Sequence, residues 1–159
     1  DEDCGNERYI PYIMETSAGL TQQLLMLLCD SYEEQKISDK GNEDDWRTVL
    51  HFHPILAPIT VAVLPLMKKD GLAELAQNIR IELKDDFVTD YDQAGAIGRR
   101  YRRQDEIGTP FCITIDYQTK EDNSVTVRDR DSMLQERVSR ANLTSYIQQK
   151  IKSYNTDSI

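Results

Sequence analysis

The chain has 159 residues, enough for one ordinary domain with some to spare, and its 28 acidic and 19 basic side chains leave a formal net charge of −9. No apolar run approaches the length of a membrane span, and the acidic start DEDCGNE is unlike a secretory leader. Cys4, Cys29 and Cys112 are widely spaced without a CxxC, which points to reduced thiols in a cytoplasmic protein.

Metal-binding spacing is absent. His51 and His53 stand two apart with no neighbouring Cys or carboxylate to complete a site, and they read as structural histidines. The charge is uneven: residues 1–46 hold twelve acids against Arg8, Lys36 and Lys40, which accounts for the whole −9 and leaves residues 47–159 neutral. A neutral region with its arginines gathered in one place can still offer a site to an anion, so the acidic total does not exclude nucleic acid.

In chain order, RYIPYIMETSAG reads as a strand rich in Tyr and Ile that ends at a Ser-Ala-Gly turn. LTQQLLMLLCDSYEEQ follows as a helix with Ser17 or Thr21 available as cap. Leu24 to Cys29 are apolar on every side of that helix, so it belongs buried in something larger than its flanks supply. KISDKGNEDD (36–45) is an acidic loop or linker, and Trp46 to Phe52 recovers strand character.

From about Pro58 to Lys152 the pattern is that of an α/β domain. ITVAVLPL is predicted as a central strand buried on both faces. Asp70 is placed to cap a helix whose Leu72, Leu75, Ala76, Ile79 and Leu83 share one face. FVTDYD is a second strand. FCITIDY is an alternating third, QTKEDN a turn, SVTVRDRD the return of a hairpin, and MLQERVS a fifth strand. RANLTSYIQQKI closes as a helix burying Leu143, Tyr146, Ile147 and Ile151. The expected fold is a mixed sheet with helices on its faces.

Between the second and third strands lies GAIGRRYRRQDEIGTPF, with four arginines in five positions. On a helix, Ile97, Tyr101 and Gln104 share the packing face; Arg99 and Arg103 then point away, with Arg100 and Arg102 on the flanks. Like charges at i,i+3 and i,i+4 give the helix nothing, so the arginines require anionic partners. These are either internal (Asp92, Asp105, Glu106, Asp129 and Asp131) or the phosphates and base edges of a nucleic acid, which fit the guanidinium fork. Charge alone leaves both open. Arg128 and Arg130 in RDRD have the same two readings, with the alternating aspartates favouring structure.

The stretch YDQAGAIGRRYRRQDEIGTPFCITIDYQTKEDNSVTVRDRDSM closely resembles the C-terminal anticodon-binding domain of dimeric, class II glycyl-tRNA synthetases. LHFHPILAPITVAVLPL is similar to the entry of that domain, and YIPYIMETSAG to the start of the family's third class II motif. The resemblance runs from about Tyr9 to Ile147. It implies a five-stranded mixed sheet with three helices over residues 58–152. Around it lie a stub of catalytic domain over 1–35, an acidic linker and entry strand over 36–57, and a tail over 153–159.

The resemblance also implies a function: holding the anticodon arm of tRNA(Gly), through Arg99, Arg100, Arg102, Arg103 and Arg128. The parent would be a cytoplasmic homodimeric ligase joining glycine to tRNA with ATP and Mg2+. No DNA or membrane partner is implied, and no cofactor for this stretch alone. Glu15, Ser17 and Gly19 match positions that hold the glycine substrate; Gly19 and Gln22 match positions at ATP.

Two departures stand out. The first two class II motifs are not in this sequence. Where the family has a phosphate-binding arginine after the glycine, this chain has Gln22, and a neutral amide does not replace a bidentate cation on triphosphate. The expectation is therefore RNA binding without aminoacylation. A non-catalytic, synthetase-like accessory protein is the alternative that the same departure suggests. A small α/β enzyme has no support, since no Ser/His/Asp set, phosphate-binding glycine loop or metal site is legible.

Overall fold

The computed structural model describes residues 12–37 and 46–154, together with Gly5, Arg8 and Ile10. The elements are α1 (Leu20–Ser31), β1 (Tyr32–Lys36), β2 (Trp46–Leu50), β3 (Val61–Pro65), α2 (Leu72–Leu83), β4 (Thr89–Tyr91), α3 (Ile97–Ile107), β5 (Phe111–Ile115), α4 (Tyr117–Asp122), β6 (Ser124–Asp129), β7 (Gln135–Ser139) and α5 (Leu143–Tyr154). A single 3-10 turn, Arg140–Asn142, leads into α5.

The five-stranded sheet has the order β4-β3-β5-β6-β7. β3 runs parallel to β4 and β5, whereas β6 is antiparallel to β5 and β7. Every residue of β3 and β5 is buried, because helices cover both faces of this half of the sheet. ITVAVLPL is thus an interior strand as expected, with β5 rather than β3 at the middle of the order. FCITIDY alternates in chemistry but not in exposure, since both of its sides are covered.

One face carries the larger core. Val61, Val63, Phe111, Ile113, Ile115, Val125, Val127 and Val138 from the sheet meet Leu72, Ala76, Ile79 and Leu83 of α2 and Leu143 and Ile147 of α5. The opposite face is smaller: Ala62, Leu64 and Cys112 lie under Ile97 and Tyr101 of α3. The strand period sends alternate residues to opposite faces, and the helical period gives α2 and α5 one apolar stripe each.

Several sequence expectations are corrected here. The described part of the first predicted strand, Tyr12–Gly19, has no regular structure; Tyr9 and Pro11 lie outside the described residues. The first helix ends at Ser31 rather than at Gln35, and Tyr32–Lys36 pairs in antiparallel register with β2, from Tyr32 opposite Leu50 to Lys36 opposite Trp46. The cross-strand ladder outweighs the modest helix preference of SYEEQ.

Neither Ser17 nor Thr21 caps α1. Its N-cap is Gly19, and Thr21 Oγ1 donates to Gln22 Oε1 instead. Most of the acidic loop, residues 38–45, lies outside the described residues. Asp70 does not cap α2 either: Gly71 does, in left-handed backbone, while the Asp70 carboxylate accepts from the Tyr117 hydroxyl at 2.7 Å.

QTKEDN is not a turn but most of α4. Asp116 caps that helix, accepting from the Thr119 N–H while Thr119 Oγ1 receives the Asp116 N–H, and Asn123 closes it in left-handed backbone. The domain accordingly has four helices, not three. α1 keeps its apolar surface open, with Leu20, Leu24, Leu25, Met26 and Leu28 all exposed. Its inner side, Leu24, Leu27 and Leu28, borders an apolar cleft of about 540 Å3 completed by Leu50, Phe52 and Ile107.

Candidate nucleic-acid interface

α3 is the element that gathers the arginines. Gly95 and Gly108, both in left-handed backbone, bracket it. At its end Gly108 N donates to the Asp105 carbonyl and Thr109 N to the Gln104 carbonyl, satisfying two of the last free acceptors. A Cβ at Gly108 would meet Phe52 Cδ2 at 2.6 Å and the Leu50 oxygen at 2.8 Å, so only glycine lets the strand pass this close.

The four arginines of the helix divide by burial. Arg99 points to solvent as expected, with no ion pair among the described residues, and Arg102 is half-buried on the flank. Arg103 is exposed but committed: its Nε donates to Asp92 Oδ2 at 2.9 Å, its Nη2 also pairs with that oxygen, and Nη2 reaches the Ala94 carbonyl at 2.6 Å. Burial raises the Asp92 carboxyl, but the Ala94 N–H and Arg103 outweigh it and hold the group below the ordinary range.

Arg100 departs furthest from the helical-wheel expectation. It is buried, not flanking, and donates to the carbonyls of Pro65, Leu66 and Asp92, where β3 and β4 end. Its guanidinium satisfies strand-end acceptors that would otherwise be orphaned. Among sequence-predicted contacts it is a structural residue.

Arg128 is structural in the same sense. It grips Asp105 in a bidentate pair, Nη1 to Oδ1 at 2.7 Å and Nη2 to Oδ2 at 3.0 Å, and its Cζ lies 4.9 Å from the centroid of the Tyr101 ring. Arg130 is buried as well, bonded to Asp131 and to the carbonyls of Phe52 and Gly108. The internal network thus uses Asp92, Asp105 and Asp131. Asp129 instead accepts from the Asp131 and Ser132 N–H groups and closes the turn after β6.

Beside α3 the same sheet face changes character. The register places Thr114 opposite Thr126 and Thr126 opposite Arg137, so a strip of hydroxyls and a guanidinium runs from β5 to β7. Tyr101 and Thr114 share a hydrogen bond of 2.5 Å at one end. At the other, Arg137 donates to Thr126 Oγ1, Ser124 Oγ and both oxygens of Asp116. Thr126 and Arg137 are half-buried, and Gln135 and Ser139 on the same face are exposed.

Sequence reasoning did not single out Arg137. The alternation in QERVS, with Val138 inward, was the available signal for its face; its partner Asp116 lies twenty-one residues away and left none. Exposed Lys68 and Lys69 add positive charge in the loop after β3, whose Leu66 carbonyl Arg100 holds. Arg47 was also missed. WRTVL puts it on the buried face with Val49, where it reaches Gln35, Asp105 and the carbonyls of Arg130 and Asp131.

An exposed arginine and lysines next to a ridge of hydroxyls can meet phosphates on one side and base edges on the other. Nucleophilic chemistry finds less support. Cys112 is buried, which pushes its thiol up to about 12, and no cluster that could hold a metal occurs among the described residues. His51 sits between Asp131 and Glu33, and His53 accepts from the Ile55 N–H, both in structural roles. No helix among the described residues is long and apolar enough to cross a membrane.

The positions matched to substrate and ATP lie apart from this face. Glu15, Ser17 and Gly19 are exposed in the irregular segment before α1, and the Gln22 side chain folds back over Gly19. They offer one carboxylate, a hydroxyl and a neutral amide. That set contains no cation for a triphosphate and does not by itself fit ATP.

Residues 60–150 match the family model described as an anticodon binding domain. The chain belongs to that family. The anticodon-binding domain is 70% identical over 154 residues to a glycine–tRNA ligase of Treponema denticola, covering 97% of this chain and 34% of that one. It is 55% identical over 151 residues to a glycine–tRNA ligase of Borreliella burgdorferi, covering 95% and 33%. The chain therefore spans about a third of the length of these relatives.

Among solved structures, a prolyl-tRNA synthetase of Cryptosporidium parvum superposes with a TM-score of 0.63 at 20% identity, over 68% of this chain and 24% of that one. That likeness establishes the shared fold of the anticodon-binding domain.

Proposed function

We propose that this chain is the part of a glycine–tRNA ligase that holds the anticodon stem and loop of tRNA(Gly). The observation that carries the reading is the juxtaposition, on one side of an anticodon-binding domain, of Arg99 on α3 and the Thr114–Thr126–Arg137 strip. Basic groups take backbone phosphate, while hydroxyls, Arg137 and exposed Gln135 meet the splayed bases of the loop. Relatives named glycine–tRNA ligase at 70% and 55% identity support the choice of tRNA.

In this reading residues 58–152 form the RNA-binding unit and residues 1–35 belong to the catalytic body. The open apolar side of α1 packs against the rest of that body. The whole enzyme is a cytoplasmic homodimer that attaches glycine with ATP and Mg2+. Glu15, Ser17 and Gly19 contribute to its glycine site, and Gly19 with Gln22 border its nucleotide. Gln22, which supplies no charge, favours a second reading as a non-catalytic accessory protein; the ligase names of the relatives favour the first.

Titration of the chain with the tRNA(Gly) anticodon arm tests the reading, against the same arm with its anticodon bases replaced. Preferential binding of the cognate arm, weakening as salt is raised, is expected. Equal affinity for both arms, or none for either, overturns it.

A further inference from the structure

Arg47 is a strand residue on a hairpin outside the five-stranded sheet, yet its side chain is almost wholly buried against that sheet's domain. Its Nε donates to Gln35 Oε1 at 2.8 Å across the hairpin. Nη1 donates to Asp105 Oδ2 at 3.3 Å and to the Arg130 carbonyl at 2.9 Å, and Nη2 to the Asp131 carbonyl at 3.4 Å. One side chain thus joins β1, α3 and the turn after β6.

Asp105 is the shared acceptor. It is fully buried, and besides Arg47 it takes the bidentate grip of Arg128, which lies against the Tyr101 ring. Tyr101 in turn bonds Thr114, the first hydroxyl of the sheet-face strip. A continuous chain of contacts therefore runs from the hairpin to the surface assigned to RNA. His51, which follows β2, adds a second tie to the same turn through Asp131 at 2.6 Å.

We infer that Arg47 and Asp105 are positioning residues for RNA recognition. By fixing α3 and the Arg128–Tyr101 pair to the docked hairpin, they make the shape of the RNA-facing surface depend on where the hairpin sits. The hairpin directly follows α1, so the position of the catalytic side of the chain is felt at the anticodon surface. This rests on the RNA reading above. A pair of buried arginines on one carboxylate suits the task, because removing any member leaves an unpaired charge and lets the assembly reorganise as a unit.

The test uses Arg47→Met and Arg47→Lys in the full chain, with Trp46, its sole tryptophan, as a reporter of hairpin docking beside the mutated site. Three quantities are read under conditions where the variants remain folded: quenching of Trp46, amide exchange in α3, and affinity for the anticodon arm across a salt series. Arg47→Met is expected to speed exchange at the end of α3 and weaken the arm about tenfold with an unchanged salt slope, since Arg47 meets no phosphate. Arg47→Lys recovers only part of the loss, because an ammonium lacks the fork that serves several acceptors.

Arm affinity within about twofold of the parent chain, or unaltered exchange in α3, overturns the inference. Should Arg47→Met fail to fold, His51→Gln carries the test: freer Trp46 with parental arm affinity overturns it equally. If the parent chain binds no arm, the RNA reading falls. In that case α3 exchange in Arg47→Met still decides whether Arg47 and Asp105 hold the helix at all.

Discussion

Arg137 and Asp116 form a two-point pair across the sheet face, Nη1 to Oδ2 at 2.6 Å and Nη2 to Oδ1 at 3.0 Å. The same carboxylate caps α4, so one aspartate fixes both the helix start and the guanidinium of the hydroxyl strip. Burial raises the Asp116 carboxyl, but Arg137 and the Thr119 N–H outweigh it and hold the group below its ordinary value. Pinned in this way, Arg137 presents its plane with little rotamer freedom left to lose on binding.

Arg137→Gln is expected to weaken the anticodon arm by roughly 1–3 kcal/mol and to narrow the gap between cognate and base-substituted arms. The pair is partly solvated, so its removal costs stability only about 0.2–1 kcal/mol. Titrations with both arms and a urea melt measure the two effects. Full retention of base preference would remove Arg137 from the interface.

Arg99 and Arg103 separate a nucleic-acid role from an internal one. Arg99→Gln should reduce the log–log salt slope of arm binding by about 0.7–0.9 and leave the melting temperature unchanged. Arg103→Gln frees Asp92 from its partner. A small loss of stability, of about 0.2–1 kcal/mol, should therefore accompany any change in binding. The informative comparison is one salt series and one melt for each variant. An unaltered slope in Arg99→Gln would show that its exposed charge meets no phosphate.

Asp131 accepts from Arg130, Tyr154 and His51. Burial raises its carboxyl, but Arg130's hydrogen bonds and charge outweigh that and bring it down from the ordinary 3.8 to about 2. A carboxylate depressed on folding contributes stability above its unfolded value and loses it as pH falls through its folded one. Stability should therefore decline from about pH 4 towards pH 2, and Asp131→Asn should flatten that part of the curve. Urea midpoints taken across this range check it; a variant with the parental acid profile would contradict the assignment.

Gly108→Ala probes the junction of α3 with the hairpin. Its φ is +81°, and an added Cβ would press on Phe52 and the Leu50 carbonyl. The backbone penalty alone is about 1–2 kcal/mol, and the contact with strand backbone adds to it. Chemical denaturation reads the loss directly. A change below about 0.5 kcal/mol would mean that the strand has room to move.

Much of the fold was legible because it follows from short-range periodicity. Leu72, Ala76, Ile79 and Leu83 recur at helical spacing, and ITVAVLPL is apolar on both sides; each pattern has one comfortable burial. The left-handed stop at Gly108 and the family motif around α3 are also local. By contrast, β1 and α4 were misread where pairing or capping outweighed weak local preference: SYEEQ becomes a strand only because WRTVL lies beside it.

What the arginines do was settled by tertiary structure. Helical spacing correctly turned Arg99 outward and Tyr101 inward, yet it assigned Arg100 to a flank, where the strand-end carbonyls of Pro65 and Leu66 draw it into the interior. The sequence by itself could determine that arginines at this density require anions or acceptors, since like charges on one helix repel. Which arginine meets Asp92, which meets a carbonyl and which remains for RNA depends on residues eight to thirty-five positions away. An ion pair forms over a few ångströms in space, and only the folded chain brings those distances about.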